Sequence, residues 1–186
     1  MSWEAVALAA TIVIRSYDNF GLPAADLAAA RLDAEAVLQQ AGVNVVWEDC
    51  WAGHGHRALA SARCQEPVGG DIVLRLQKTG QAGRSKFVSM GFSLVGTPGA
   101  ASFLATVYVD RVESVARGAG IDPRRVLGLA IAHEIGHVLL DSNAHAPSGL
   151  MRADWSRREL RHKDAGAWQF LDNEAGRVRS AAIGRR

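Results

Sequence analysis

His133, Glu134 and His137 form an H-E-x-x-H run, with His145 downstream and a Ser148-Gly149-Leu150-Met151 segment after it. Residues four apart on an α-helix share a face. His133 and His137 can therefore aim two imidazoles at one metal ion. Glu134 stands beside them, placed to act on a metal-bound water rather than to ligate the metal. A catalytic zinc takes three protein ligands and keeps one open position. The third ligand must come from beyond the helix, and His145 is the nearest candidate. Glu159 offers a rival arrangement, two histidines with a downstream helical glutamate, and Asp141 is a further candidate. The cofactor implied is one catalytic Zn²⁺.

A bare HExxH arises by chance, so the segment around it matters. Asp122 can cap a helix that opens at Pro123, a favoured first position. Apolar residues at 127, 131, 135, 138 and 139 recur at helical spacing. Both histidines thus fall on a mostly buried helix. Burying two imidazoles and a carboxylate there is costly unless they are paired or bind a metal.

HEIGHVLLDSNAH, followed by Gly-Leu-Met, resembles the zincin metallopeptidases, and among them the metzincins. That resemblance implies His133, His137 and His145 as ligands, Glu134 as general base and Met151 as the methionine turn under the metal. The usual metzincin pattern is HExxHxxGxxH; here Leu140 and Asn143 stand at the glycine and third-histidine positions, and His145 comes two residues later. The spacing is also similar to bacterial metzincin-like proteins with HELGHLLLG-type helices, with Asp141 at the glycine. Asp tolerates a left-handed helix end better than most residues. The activity implied is zinc-dependent hydrolysis of peptide bonds, with a peptide or protein as substrate.

The elements that must position this site can be read coarsely. Residues 11–17 form a β-branched strand, a helix runs from Pro23 to about Ala41, and 43–47 is a second strand, which together predict a right-handed parallel crossover. A loop from Glu48 to Gly70 follows. Further strands are expected at 71–76, 87–95 and 103–109, a short helix at 111–117, the zinc helix, and two helical pieces around 154–163 and 172–180. The fold class expected is α+β, zincin-like. By resemblance it has a mixed, twisted five-stranded sheet, a crossover helix, an active-site helix and a small helical C-terminal part. Its fourth strand would lie antiparallel at the edge, with Ser89 to Ser93, and Gly91, Phe92 and Ser93 in particular, forming a rim along the substrate cleft. Residues 1–186 read as a single metallopeptidase domain, with 11–141 as the sheet part and 142–186 as the methionine turn and C-terminal helices.

The chain is 48% hydrophobic and 22% charged with a net charge of +2, an ordinary balance for a globular domain. Arg152, Arg157, Arg158, Arg161, Lys163, Arg177, Arg179, Arg185 and Arg186 cluster late. They read as a solvated face on C-terminal helices, since no aromatic-interleaved basic patch or nucleic-acid motif accompanies them. No membrane span is expected, and oligomeric state is open. The N-terminal Ala-rich stretch lacks a positive n-region and a proper apolar core. Cys50 and Cys64 can form a disulfide, can join His54 and His56 in a structural zinc site, or can stay as free buried thiols. The disulfide implies an oxidising compartment, and the resemblance to secreted metallopeptidases leans the same way. A secreted or periplasmic protein is the expectation, a cytoplasmic one the alternative. Two other functions compete: a cytoplasmic regulatory protease with a glutamate third ligand and free thiols, and a non-catalytic zinc-binding module. Glu134 argues against the second, because a pure binder has no need of that base. A non-peptide amide as substrate fits the motif too.

Overall fold

The computed structural model describes residues 10–51, 64, 69–80, 89–96, 103–161 and 165–185, and the backbone alone at Trp51 and Ala165. The N-terminal lead-in, His54, His56, Lys163 and Arg186 lie outside the described residues. Strands β1 (Ala10–Asp18) and β2 (Val43–Trp51) run parallel on either side, in sequence, of helix α1 (Ala24–Gln40). Pro23 precedes α1, and Gly42 takes a positive φ just past its end. That left-handed residue turns the chain straight into β2. Strand β3 (Ile72–Gln77) pairs parallel with the other side of β1, and β5 (Leu104–Tyr108) pairs parallel with β3. Strand β4 (Gly91–Leu94) pairs antiparallel with β5. The sheet order is β2-β1-β3-β5-β4, mixed and five-stranded, with β4 at the edge as expected.

Several boundaries differ from the sequence expectation: helix covers Val109–Ala119 rather than 111–117 and Arg157–Arg161 within the expected 154–163, and two strands shift by several residues. Glu48 to Trp51 continue β2 instead of opening a loop. Parallel pairing to β1 carries on through Arg15 opposite Glu48 and Ser16 opposite Asp49, then past an irregularity to Tyr17 opposite Trp51. Of the strand expected at 87–95, residues 87 and 88 lie outside the described residues, and β4 leaves out 89, 90 and 95. Its ladder to β5 spans Gly91 opposite Val107 to Leu94 opposite Leu104.

Helix α2 (Val109–Ala119) follows β5 directly, and helix α3 (Pro123–Leu140) carries the motif. Asp122 caps α3, its carboxylate accepting from the Arg124 amide at 2.9 Å. Every residue of α3 from Val126 to Leu140 is buried. A helix apolar all round belongs in the middle of a core, and α3 packs against β4, β5, α1, α2 and α5 (Asp172–Ile183). Gly128 makes the α1 contact possible. A Cβ there would fall 2.6 Å from the Ala30 carbonyl oxygen and 2.5 Å from the Asp33 Cβ.

Helix α4 (Arg157–Arg161) and a 3₁₀ turn (Ala165–Trp168) lead to α5. The late arginines are more than a solvated face. Arg161 donates to the Ala119 carbonyl at the end of α2 (2.6 Å), and Arg177 to the Leu140 carbonyl at the end of α3 (2.9 Å). Arg185 reaches the carbonyls of Val138 and Gly70. Cations at helix C-termini satisfy orphan carbonyls and complement the helix dipole. Sequence position alone did not reveal these carbonyl partners. Cys50 and Cys64 form a disulfide that ties the end of β2 to residue 64. Among the described residues no helix is long and apolar enough to cross a membrane.

Candidate metal centre

His133 and His137 lie one turn apart on α3, and their Nε2 atoms approach to 3.0 Å. His133 Nδ1 is 2.9 Å from the Leu150 carbonyl oxygen, and His137 Nδ1 is 2.7 Å from the Ser142 carbonyl oxygen. A carbonyl only accepts, so each Nδ1 must carry the proton. Both Nε2 atoms then present lone pairs to each other at hydrogen-bond distance with no proton between them. That contact is repulsive unless a cation sits at it. His145, on the loop after α3, completes a group of three whose ligand atoms all lie within 4.8 Å of one another. Zinc–nitrogen bonds of about 2.05 Å put tetrahedral ligands about 3.3 Å apart. The donor set is of the type zinc takes, and the two helical histidines also have the tautomer and, at 3.0 Å, nearly the spacing that zinc needs.

The local sequence explains why His145 arrives here. Asp141 ends α3 in the left-handed region (φ 48°), a conformation Asp tolerates better than a bulky residue. The chain then reverses, the Ser142 amide returns to the His137 carbonyl (3.2 Å), and the Ala146 amide donates to the Met151 carbonyl (2.9 Å). Gly149 (φ 75°) makes the turn that brings the Leu150 carbonyl under His133. Met151 is fully buried directly against Gly136. A Cβ on Gly136 would fall 2.6 Å from the Met151 Sδ and 2.7 Å from the Phe170 ring. The glycine between the two histidines is thus the seat of Met151.

Glu134 is 6% exposed. Burial pushes its carboxyl up to about 7, against a lowering by the Ser93 hydroxyl. Burial also pulls His133 down to about 3, helped by the neighbouring His137, and lowers His137. These values describe the protein without metal, and they say that the imidazoles stay neutral and ready to ligate.

The remaining candidates fall as follows. Glu159 is not in the histidine group; its carboxylate accepts from Arg152, from the Ser156 amide (2.9 Å) and from the Ser156 hydroxyl (2.6 Å). Asp141 is not in the histidine group either, and its carboxylate accepts from the Gly96 amide (3.2 Å). Trp155 stands edge-on to His133, with ring centroids 5.7 Å apart, and packs on Trp168. Gly91, Phe92 and Ser93 line one wall of a cleft of about 720 Å³ that also holds His133, Glu134, His137, His145 and Trp155. Phe92 is partly exposed, whereas Ser93 is buried with its hydroxyl turned to Glu134. The sequence reading missed the carbonyls of Leu150 and Ser142, because backbone acceptors leave no mark in side-chain identity.

This chain is similar in fold to an archaemetzincin. The crystal structure of archaemetzincin from Methanopyrus kandleri superposes with a TM-score of 0.51 at 16% identity, over 95% of this chain and 97% of that one. Identity that low speaks for the fold. No protein-family model and no curated protein matches the chain.

Proposed function

We propose that the protein is a zinc-dependent peptidase, with His133, His137 and His145 as ligands and Glu134 as general base. The observation that carries this is the pair of Nε2 lone pairs 3.0 Å apart, with both Nδ1 atoms engaged by carbonyls and a third histidine within reach. The archaemetzincin-like fold supports it. Zinc, when bound, supplies Lewis acidity that activates water and polarises a carbonyl.

The chain's own residues supply the rest. Glu134 adjoins the histidines in a water-poor wall and can take a proton from the attacking water, then deliver it to the leaving amine. Strand β4 presents an edge along the cleft, and an extended peptide can add to such an edge by main-chain hydrogen bonds. The backbone of Gly91, Phe92 and Ser93 is the rim in this reading, with the Ser93 side chain turned inward. Met151 supports the site from below by filling the space at Gly136. The Cys50–Cys64 bridge supports placing the protein in an oxidising compartment, secreted or periplasmic.

The test is metal analysis of the wild type, His145→Ala and Glu159→Ala, with peptide hydrolysis by wild type and Glu134→Gln. About one zinc per chain is expected, lost in His145→Ala and kept in Glu159→Ala. Glu134→Gln should keep zinc and lose turnover. Zinc that persists in His145→Ala but not in Glu159→Ala would overturn the ligand set, and appreciable hydrolysis by Glu134→Gln would overturn the mechanism. A zinc-loaded wild type that cleaves no peptide would leave a binding module as the better reading.

A further inference from the structure

Strand alternation puts Gly91 and Ser93 on the face of β4 that meets α3, and Phe92 and Leu94 on the other. The Ser93 hydroxyl lies 2.8 Å from Glu134 Oε2 and 2.8 Å from the Glu134 backbone carbonyl oxygen. Both residues are buried. Among the described residues, Ser93 is the hydrogen-bond partner of the Glu134 carboxyl. The second carboxyl oxygen is fixed differently. A Cβ on Gly91 would fall 2.6 Å from Glu134 Oε1 and 2.8 Å from its Cδ, so bare backbone walls that side. The hydroxyl has a single proton, and the ionised carboxylate is a stronger acceptor than the backbone carbonyl, so one oxygen is tied by it and the other pressed to a strand that has no side chain in the way.

A glutamate has three rotatable bonds, and freezing them costs conformational entropy. A general base misplaced by about 1 Å can lose about 10²-fold in rate. We propose that Ser93 is a positioning residue that fixes the direction of the Glu134 carboxylate, with Gly91 leaving the space it occupies. This rests on the proposed function of the same site. It also gives the edge strand two separate tasks: its outer rim faces a ligand, while its inner face aims the base. A serine with only a packing role would be replaceable by alanine, which has nearly the same shape.

The test compares wild type, Ser93→Ala, Ser93→Thr and Glu134→Gln, all zinc-loaded. Readouts are zinc content, kcat and KM on the best substrate from a quenched fluorescent peptide library, and the Kd of acetohydroxamate, a small zinc-binding acid. For Ser93→Ala, full zinc content, an unchanged KM and a kcat lower by about 10- to 100-fold are expected, the loss that goes with a misdirected base. Acetohydroxamate should bind more weakly in Ser93→Ala, in the direction of Glu134→Gln, and Ser93→Thr should recover both readouts. A Ser93→Ala protein within about twofold of wild type in kcat and in acetohydroxamate Kd would overturn the inference. If the wild type holds zinc but cleaves no peptide, the proposed function fails, and the acetohydroxamate comparison still decides the role of Ser93. A wild type that takes up no zinc overturns both.

Discussion

Replacing Gly136 with alanine tests how the helix, the buried methionine and the metal centre depend on one another. In an ordinary helix this change is favourable by about 0.8–1 kcal/mol, because glycine is the poorer helix former. Here the new methyl would stand 2.6 Å from the Met151 Sδ, 2.7 Å from Phe170 Cε1 and 3.1 Å from Phe170 Cζ. Met151 is fully buried and Phe170 is 7% exposed, so neither can swing into solvent. Overpacking of this kind costs about 1–3 kcal/mol. With two contacts violated, one of them to a rigid ring, the upper part of that range applies. The net expectation is a loss of about 1–2 kcal/mol, a fall in Tm of about 2–8 °C for a chain of this size. The displaced turn carries the Leu150 carbonyl that holds His133 Nδ1, so zinc affinity should drop by about 10-fold or more. Gly176 on α5 is the control. Nothing lies within 4 Å of its Cβ position, and Gly176→Ala should raise stability by about 0.5–1 kcal/mol. Thermal melts and a competitive zinc titration read both variants. A Gly136→Ala protein that melts at or above the wild-type temperature with zinc affinity intact would refute the account of why glycine stands between the histidines.

Without metal, stability should depend on pH in a definite direction. His133 and His137 are lowered in the folded state from 6.5, so their contribution is present above that value and is lost as pH falls, toward about 3 for His133. Glu134 is raised from 4.5 to about 7, so its contribution is present below 4.5 and is lost as pH rises through 7. Between 4.5 and 6.5 His133 offsets the carboxyl and the lowered His137 tips the balance toward loss, and below 4.5 Glu134 no longer opposes them. Melts of chelator-treated protein should show Tm falling as pH drops below 6.5, more steeply under 4.5; a Tm that climbs continuously down to pH 3 would contradict this. Reducing the Cys50–Cys64 bridge, whose cysteines are 14 residues apart, should cost about 3 kcal/mol in the chain-entropy model. Zinc content should be unchanged, since the bridge closes a segment at the end of β2. Asp122→Ala removes the cap of the site helix and should cost about 1 kcal/mol by denaturant titration; a cost near zero would mean that packing alone fixes where α3 begins.

The linear sequence determined the parts whose information is local. Two histidines four apart on a helix must share a face, whatever surrounds them. Asp122 and Pro123 set the start of α3, and the strand-forming runs set β1, the start of β2 and β5. The third histidine was not fixed in this way: the residues left His145, Glu159 and Asp141 open, the resemblance favoured His145, and the fold brings its ring to the other two. Tertiary structure decided what depends on who stands opposite. Glu159 has the residue type of a zinc ligand, but Arg152 and Ser156 hold it, and only the folded turn shows that. The end of β2 lies beyond its apolar run because β1 continues to pair with it. The late arginines read as solvent-facing from composition, and Arg157 and Arg158 are, yet Arg161, Arg177 and Arg185 meet helix carbonyls that the sequence does not mark. The inward face of Ser93, the carbonyls behind His133 and His137, and the need for glycine at 91 and 136 share one physical reason. Each is a contact between backbone or side chains far apart in the chain, at separations of a few ångströms, and such contacts exist only once the elements have packed.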